Sequence, residues 1–379
     1  MIDTVTLSLD IHNPKMPVYF DPKRAHEWTP SIGHIIEGGR SRLYGRGCLP
    51  HYRPPLPDEE RSRLYFPKVK LLEHVKRGSG IQQELYITFS APKLVFGNNF
   101  NELEDRQLKW VCSHLSFRLK RMGIKITPKV LEKATVVEIH YSKNFILTAH
   151  PIGEAFARFR RIKKPPTYNL DYKDYSYSHG QSFSLYQEQY AICFYDKKRE
   201  SRKHRKFNHP LYADAWETPK NTEVLRMEVR CQTSAIIKRK LEMLGFIIPD
   251  PPTLESLFKS KIAQAVLLHE FRTLLSHLPP ITLTGSLANI LHTVSLYNPK
   301  LTTARTLNAA VMIKLQNELG NETAIKKVLG ISSATTWCNR KRLVNSLKLP
   351  STKTSNILDE IERQLTEFTP ITYFKKGAP

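Results

Sequence analysis

Acidic residues are scarce in this chain. There are 35 Asp+Glu against 58 Lys+Arg over 379 residues, a formal charge of +23 with a pI near 9.7. An excess of that size calls for a polyanion or an anionic surface as partner. Long apolar runs are also missing, since no segment reaches the ~18–20 continuous apolar residues of a spanning helix. The opening residues MIDTVTLSLDI carry acids and lack a basic stretch followed by an apolar core, so no signal peptide is expected. Nucleic acid is therefore the expected partner and a membrane is not. Cysteine is sparse and scattered: Cys48, Cys112, Cys193, Cys231 and Cys338 form no CxxC or Cys/His spacing. That argues against a zinc ribbon or a disulfide framework and fits a reducing cytoplasm, each thiol being expected as a small buried hydrophobe.

Core material is plentiful. Hydrophobic residues make up 40% of the chain, and the length suits two domains or one large domain with an appendage. The first strand is expected to bury Val5, Leu7 and Leu9 on one face. Residues 14–67, rich in Pro, Arg and Gly, read as a basic, loop-rich insertion. One or two strands are expected over 84–97. A helix over 101–122 follows, with Leu108, Val111, Cys112, Leu115, Leu119 and Met122 on its apolar stripe and Gly123 ending it. Then come a strand over 134–141, a helix over 149–162, a tyrosine-rich hairpin, a basic loop over 197–206 and a strand over 223–232. This order predicts an α+β fold, an antiparallel sheet with packed helices spanning 1–245, rather than a doubly wound array.

Beyond 250 the text turns helical. Thr253 is the expected cap of a segment with Leu254, Leu257, Phe258, Ile262, Val266, Leu267 and Leu274 at helical spacing. Residues 251–379 hold 16 Lys+Arg and 8 Asp+Glu, so 250–379 reads as a basic helical, DNA-binding domain. Within it, 323–343 resembles a helix–turn–helix, with an ordinary helical hairpin that carries a solvated basic face as the alternative. Ile325, Val328 and Leu329 would form the first helix's core face, Gly330 the turn and Ser332 or Ser333 the second cap. Asn339, Arg340, Lys341 and Arg342 ride on the second helix.

The most informative stretch is 181–200, QSFSLYQEQYAICFYDKKRE. Tyr186, Tyr190 and Tyr195 alternate with apolar residues, as strands require, and run into a basic segment. A phenol fixed on a strand beside cations suits attack on a DNA phosphodiester. It equally suits a plain hairpin that uses tyrosine for its β propensity. Tyr186 and Tyr190 would share a face only on a helix, and the flanking residues read as strands. Phosphodiester cleavage also needs cations or a metal at the phosphate. Carboxylates set inside apolar strands are the candidates, because a buried charge must be coordinated or paired. Glu138 shares a strand face with His140, with an edge position open to water as its alternative. Glu228 shares one with Arg226 and Arg230, and a salt bridge to either arginine is the alternative role for it. Lys197, on the Tyr195 face, would hold a phosphate or lower the phenol pKa, or else be solvated.

These segments together resemble the gene II/X family of replication initiators of filamentous phages and related plasmids. The resemblance rests on Met1-Ile2-Asp3, on ITFSAPKLVFGNN over 87–99, on the Glu138 strand, on Phe194-Tyr195-Asp196-Lys197, and on the Arg-x-Glu-x-Arg of Arg226, Glu228 and Arg230. It covers roughly residues 80–240 and the tail loosely. It implies a nicking-endonuclease-like fold and a site-specific DNA nickase and ligase that starts rolling-circle replication through a phosphotyrosine intermediate. Tyr195 would be the nucleophile, Tyr186 the second choice, and Lys197 an assisting cation. No His-hydrophobe-His pair exists, so Glu138, His140 and Glu228 would have to hold Mg²⁺ or Mn²⁺. Lys198, Arg199, Arg202, Lys203, Arg226, Arg230, Arg340, Lys341 and Arg342 would contact duplex and single-stranded DNA at an origin, with a host helicase as a further partner to consider. A non-catalytic origin-binding or regulatory DNA-binding protein is the competing reading, and an RNA-binding sheet a more distant one.

Overall fold

The computed structural model describes residues 1–21, 29–30, 48–52, 64–76, 80–147, 152–159, 162, 165, 168–175, 180–202, 223–278, 285–347 and 357–372. The strands are β1 (Ile2–Asp10), β2 (Tyr19–Phe20), β3 (Thr29–Pro30), β4 (Cys48–Tyr52), β5 (Lys68–Lys76), β6 (Gly80–Ser90), β7 (Ile124–Lys125), β8 (Thr135–Leu147), β9 (Asn169–Tyr175), β10 (Gly180–Gln187), β11 (Tyr190–Asp196) and β12 (Glu223–Cys231). Ten of them form one sheet in the order β3-β4-β5-β6-β1-β8-β12-β11-β10-β9. Every neighbouring pair is antiparallel. The fold is mixed α+β with helices packed on an antiparallel sheet.

Alternation divides the sheet into two chemically different faces. Val5, Leu7, Leu85, Ile87, Phe183, Phe194, Leu225, Met227 and Val229 are fully buried and share one core with the helices Leu108–Arg121, Ser260–Ser276 and Ile357–Glu367. Thr6, Glu138, His140, Tyr195, Arg226, Glu228 and Arg230 take the other face. Val136 and Glu138 are both even-numbered yet face opposite ways. A register shift in the β1–β8 pairing, with Leu7 opposite Val136 and Thr6 opposite Glu138, accounts for this, as expected of a bulge.

Several expectations need correction. The strand expected to run on to 97 stops at Ser90, and Ala91–Phe96 is a helix: Pro92 suits its first turn and Gly97, at φ 70°, ends it. The helix expected from 101 begins with a 3-10 turn at Asp105–Gln107 and continues as Leu108–Arg121. Residues 101 and 102 cannot join it, because the Glu102 N–H donates to the Ile371 carbonyl and the Glu102 carboxylate is bonded to Lys143 and the Asn144 N–H. The strand expected to end at 141 runs to Leu147. Short strands β2, β3 and β4 fall inside 14–67, which was expected to be loop; the rest of that insertion lies largely outside the described residues. The basic loop expected from 197 opens as the helix Lys197–Arg202, and 203–206 lie outside the described residues.

The tail packs in two ways. Residues from Leu254 to Leu275 and from Ile357 to Phe368 enter the core of the sheet. Between them the helices Leu287–Tyr297, Thr303–Leu319, Glu322–Val328 and Ala334–Asn345 build two small cores of their own, one around Ile290, Val294 and Ile313, the other around Met312, Ile325 and Trp337. Thr253 caps its helix as expected, its hydroxyl accepting from the Ser256 N–H. Cys112, Cys193 and Cys231 are buried, whereas Cys338 is exposed because it sits on the outer side of its helix.

Candidate functional site

β12 lies between β8 and β11, so its polar side chains have neighbours on both sides. Cross-strand register places Arg226 opposite Tyr195 and Asn144, Glu228 opposite Cys193 and Ser142, and Arg230 opposite Ala191 and His140. Directly opposed residues share a face, which gathers these groups on the polar side of the sheet.

Glu228 is the hub. The Tyr195 hydroxyl donates to its Oε1 at 2.5 Å, and Arg226 Nε is 3.0 Å from that oxygen. Arg230 donates twice to Oε2, from Nε at 3.0 Å and Nη2 at 2.7 Å. Arg226 is itself fully buried. It donates to the Asn99 carbonyl at 2.6 Å and to Ser142 Oγ at 2.9 Å, and pairs with Asp3 Oδ1 at 3.1 Å. Burial alone would push the Glu228 carboxyl up, but Arg226 and Arg230 override it and hold the group down at about 2. Tyr195 moves the other way. Burial and then the Glu228 charge push its phenol well above 10, against the pull of Arg226. The residue as a whole is half-buried.

Lys197 is not a solvated lysine. Its ammonium is buried, bonds Glu200 at 3.0 Å and lies over the rings of Phe100 and Tyr195 at 5.7 and 5.6 Å. Burial and the nearby Arg226 charge lower its pKa, with Glu200 opposing. Glu138 occupies the interior strand β8 rather than an edge and is half-buried. His140 Nε2 lies 3.0 Å from its Oε1, and Thr6 donates to its Oε2 at 2.9 Å. The His140 hydrogen bond outweighs burial and lowers the Glu138 pKa.

The expected metal set divides here. Glu138 and His140 meet each other. Glu228 does not join them, because both its oxygens are committed to cations and Arg230 stands opposite His140. Among the described residues no group of three His, Cys, Asp or Glu side chains is arranged to hold a metal ion. Mg²⁺ favours one or two carboxylates with several waters. Of Glu138 and Glu228, only Glu138 has a partly open carboxylate, so the three residues do not fit one ion as a set.

The three tyrosines separate cleanly. Tyr186 is exposed at the end of the hairpin, in the row of Ala191 and Arg230. That row lies four residues along β12 from the row of Tyr195 and Arg226, about 13 Å at strand rise. Tyr190 points to the apolar face, its ring 5.4 Å beneath the Lys240 ammonium. Of the residues expected to contact DNA, Arg226 is consumed inside the sheet, and Arg230 is over a third exposed but bonded to Glu228. Lys198 and Arg199 are half-buried on the helix, and Arg199 pairs with Asp196 at 3.3 Å. The Arg202 side chain and Lys203 lie outside the described residues. Arg342 is exposed and Arg340 half-buried, while Lys341 pairs at 2.5 Å with Glu322 of the neighbouring helix.

Sequence reasoning missed Asp3, Asn99 and Ser142 as partners of Arg226. Asp3 had the signal used for Glu138, a carboxylate within an apolar strand. Asn99 and Ser142 had none, because both act through position alone. Comparison with family models, with curated proteins and with solved structures returned no match.

Proposed function

We propose that the chain cleaves and rejoins one strand of DNA by attack of the Tyr195 phenol on a phosphodiester, the chemistry that starts rolling-circle replication of a phage or plasmid genome. The observation that carries this reading is the Tyr195–Glu228–Arg226–Arg230 cluster, with the phenol at 2.5 Å from a carboxylate clamped by two guanidiniums. A phenol attacks as the phenolate, so its proton must pass to water; as the phenol oxygen bonds to phosphorus the P–O3′ bond breaks, and the 3′ oxygen takes a proton from water and leaves as a hydroxyl. In the resting site Glu228 accepts the phenol hydrogen bond. Arg230 stands within reach of the negative charge that develops on a phosphate brought to Tyr195. Lys197 lies against the same ring and supports the phenolate once it forms. Tyr186 has a positioning role at the hairpin end.

A divalent ion, Mg²⁺ or Mn²⁺, belongs to the proposal only beside Glu138 and His140, where it would hold a neighbouring phosphate of the bound strand, because the His140 row lies about 13 Å along the sheet from the Tyr195 row. Glu228 is assigned to the phenol instead. The basic helical region would carry duplex contacts, the whole acting in a host cytoplasm.

The competing reading, a DNA-binding protein without catalysis, draws on the raised Tyr195 pKa and the two arginines that neutralise Glu228. Incubation with the supercoiled replicon that encodes the chain, in Mg²⁺ or Mn²⁺, separates the two. The catalytic reading expects a relaxed circle with protein covalently attached to a 5′ phosphate, and a tryptic peptide that contains Tyr195 carrying the nucleotide. Intact supercoils and no adduct favour the binder.

A further inference from the structure

A cationic surface remote in sequence from Tyr195 lies on the helix Ala334–Asn345. That helix is the third of a packed trio. Thr303–Leu319 supplies Met312, Glu322–Val328 supplies Ile325, and Ala334–Asn345 supplies Trp337, and these three side chains form one small core. The turn between the last two helices is fixed by Gly330, whose φ of 60° belongs to the left-handed region, and by Ser333, whose hydroxyl caps the third helix at the Thr336 N–H. Glu322 locks the crossing of the two helices. Its carboxylate accepts from Trp337 Nε1 at 3.2 Å and from Lys341 Nζ at 2.5 Å. The Lys326 ammonium covers the Trp337 ring at 5.2 Å.

This arrangement decides which side of the third helix is left over. Trp337 and Val344 face the core, with Lys341 turned toward Glu322. At 100° per residue the opposite side carries Thr335, Asn339 and Arg342, and all three are exposed. The helix pair over 322–345 holds five Lys or Arg and one acid, Glu322, which is paired with Lys341, so the charge around the stripe stays net positive. A short polar residue, an amide and a guanidinium in one exposed row match what base edges in a major groove require. Asparagine pairs bidentately with adenine, arginine with guanine, and threonine with a thymine methyl.

We infer that Thr335, Asn339 and Arg342 read base pairs of duplex DNA in the major groove, whereas Lys341 positions the helix through Glu322. This assignment rests on the duplex-binding part of the proposed function and shares none of the Tyr195 site's residues. It commits to duplex DNA rather than to a protein partner because the exposed row is polar and basic rather than apolar.

The test is selection from a pool of random duplexes with the full chain carrying Tyr195→Phe, followed by binding measurements on the enriched sequence and a scrambled one. The expected result is an enriched motif. Asn339→Ala and Arg342→Ala should each bind that motif about 10- to 100-fold more weakly, the worth of one bidentate base contact, with melting temperatures unchanged because both side chains are exposed. Arg342→Lys should keep the scrambled-duplex affinity and lose the preference at one base pair, since an ammonium retains the charge but not the fork. Failure to enrich any motif, or an enriched motif read equally well by all three variants, would overturn the inference. So would enrichment of single strands alone. An enriched motif together with no tyrosyl adduct from the wild-type chain would leave this inference standing and remove the nicking reading; a wild-type adduct without a motif would do the reverse.

Discussion

Glu228→Gln removes the charge on which Tyr195, Arg226 and Arg230 converge. In the folded chain its carboxyl is held near 2 against an ordinary value of 4.5. A shift of that size corresponds to about 3 kcal/mol of stability at neutral pH, at about 1.36 kcal/mol per pKa unit. A buried ion pair broken on one side typically costs about 3–5 kcal/mol, because the partner charge is left behind. The cost falls at the lower end here, since Arg226 keeps Asp3, Ser142 and Asn99 and Arg230 reaches water. With an unfolding entropy of about 2.1 cal/mol/K per residue, a loss of about 3 kcal/mol lowers the melting temperature by about 4 °C. The sign with pH follows from the depressed carboxyl. The stabilisation is complete above 4.5 and is lost as the pH falls from 4.5 through about 2. Wild type should therefore lose about 1 kcal/mol of its advantage over the variant by roughly pH 3.5. Calorimetry of both chains from about pH 7 down to about pH 3.5 reads this directly. A variant as stable as wild type at neutral pH, or a gap that widens on acidification, would show that Glu228 is not the clamped anion of this sheet.

The other predictions concern different parts of the molecule. Trp337→Ala should cost about 3–5 kcal/mol, as large core truncations do, and amide exchange should accelerate across the Thr303–Leu319 and Ala334–Asn345 helices while β8 and β12 stay protected. Neutralising Lys198 and Arg199 together should reduce the slope of log K against log salt on duplex DNA by about 0.9 for each phosphate that is no longer neutralised. Titrations between low and moderate salt would register it, and an unchanged slope means that this helix does not touch the backbone. Because burial and Glu228 raise the Tyr195 phenol, the single-turnover rate of strand cleavage should climb with pH through about 9 without a plateau, and a plateau near neutrality would point to another nucleophile. Glu138→Gln should leave duplex affinity nearly intact and raise the Mg²⁺ or Mn²⁺ concentration needed for cleavage; unchanged metal dependence would place the ion elsewhere.

The sequence made the architecture legible where one period dominated. Alternation marked β1, the β10–β11 hairpin and β12, and the helical stripe marked Val111, Cys112, Leu115 and Leu119. It was less legible where side chains off the stripe controlled the backbone. Ser90-Ala91-Pro92 converts an apparent strand into a helix start, and Glu102 is pinned by Lys143 and the 369–371 segment, so the helix begins late. The candidate site was visible as Tyr195, Lys197, Arg226, Glu228 and Arg230, because charged residues at period two inside apolar strands must face one another across a sheet. Their pairing was not visible. Whether Glu228 meets a metal or an arginine depends on register between β12, β11 and β8, which no local pattern encodes.

The proposal that one phenol, Tyr195, attacks the phosphate is tested most directly by covalent adduct formation. Wild type, Tyr195→Phe, Tyr186→Phe and Tyr190→Phe are compared on the same supercoiled circle. Each substitution keeps the ring and its packing and removes only the hydroxyl; Tyr195→Phe also gives up the hydrogen bond to Glu228, about 1.5–3 kcal/mol for a bond to a charged group, so its melting temperature is measured alongside. A Tyr195 nucleophile predicts no adduct with Tyr195→Phe, a partial loss with Tyr186→Phe, and an adduct with Tyr190→Phe, whose ring is buried on the apolar side of the sheet. An adduct from Tyr195→Phe that disappears in Tyr186→Phe would move the nucleophile to the hairpin end and contradict it.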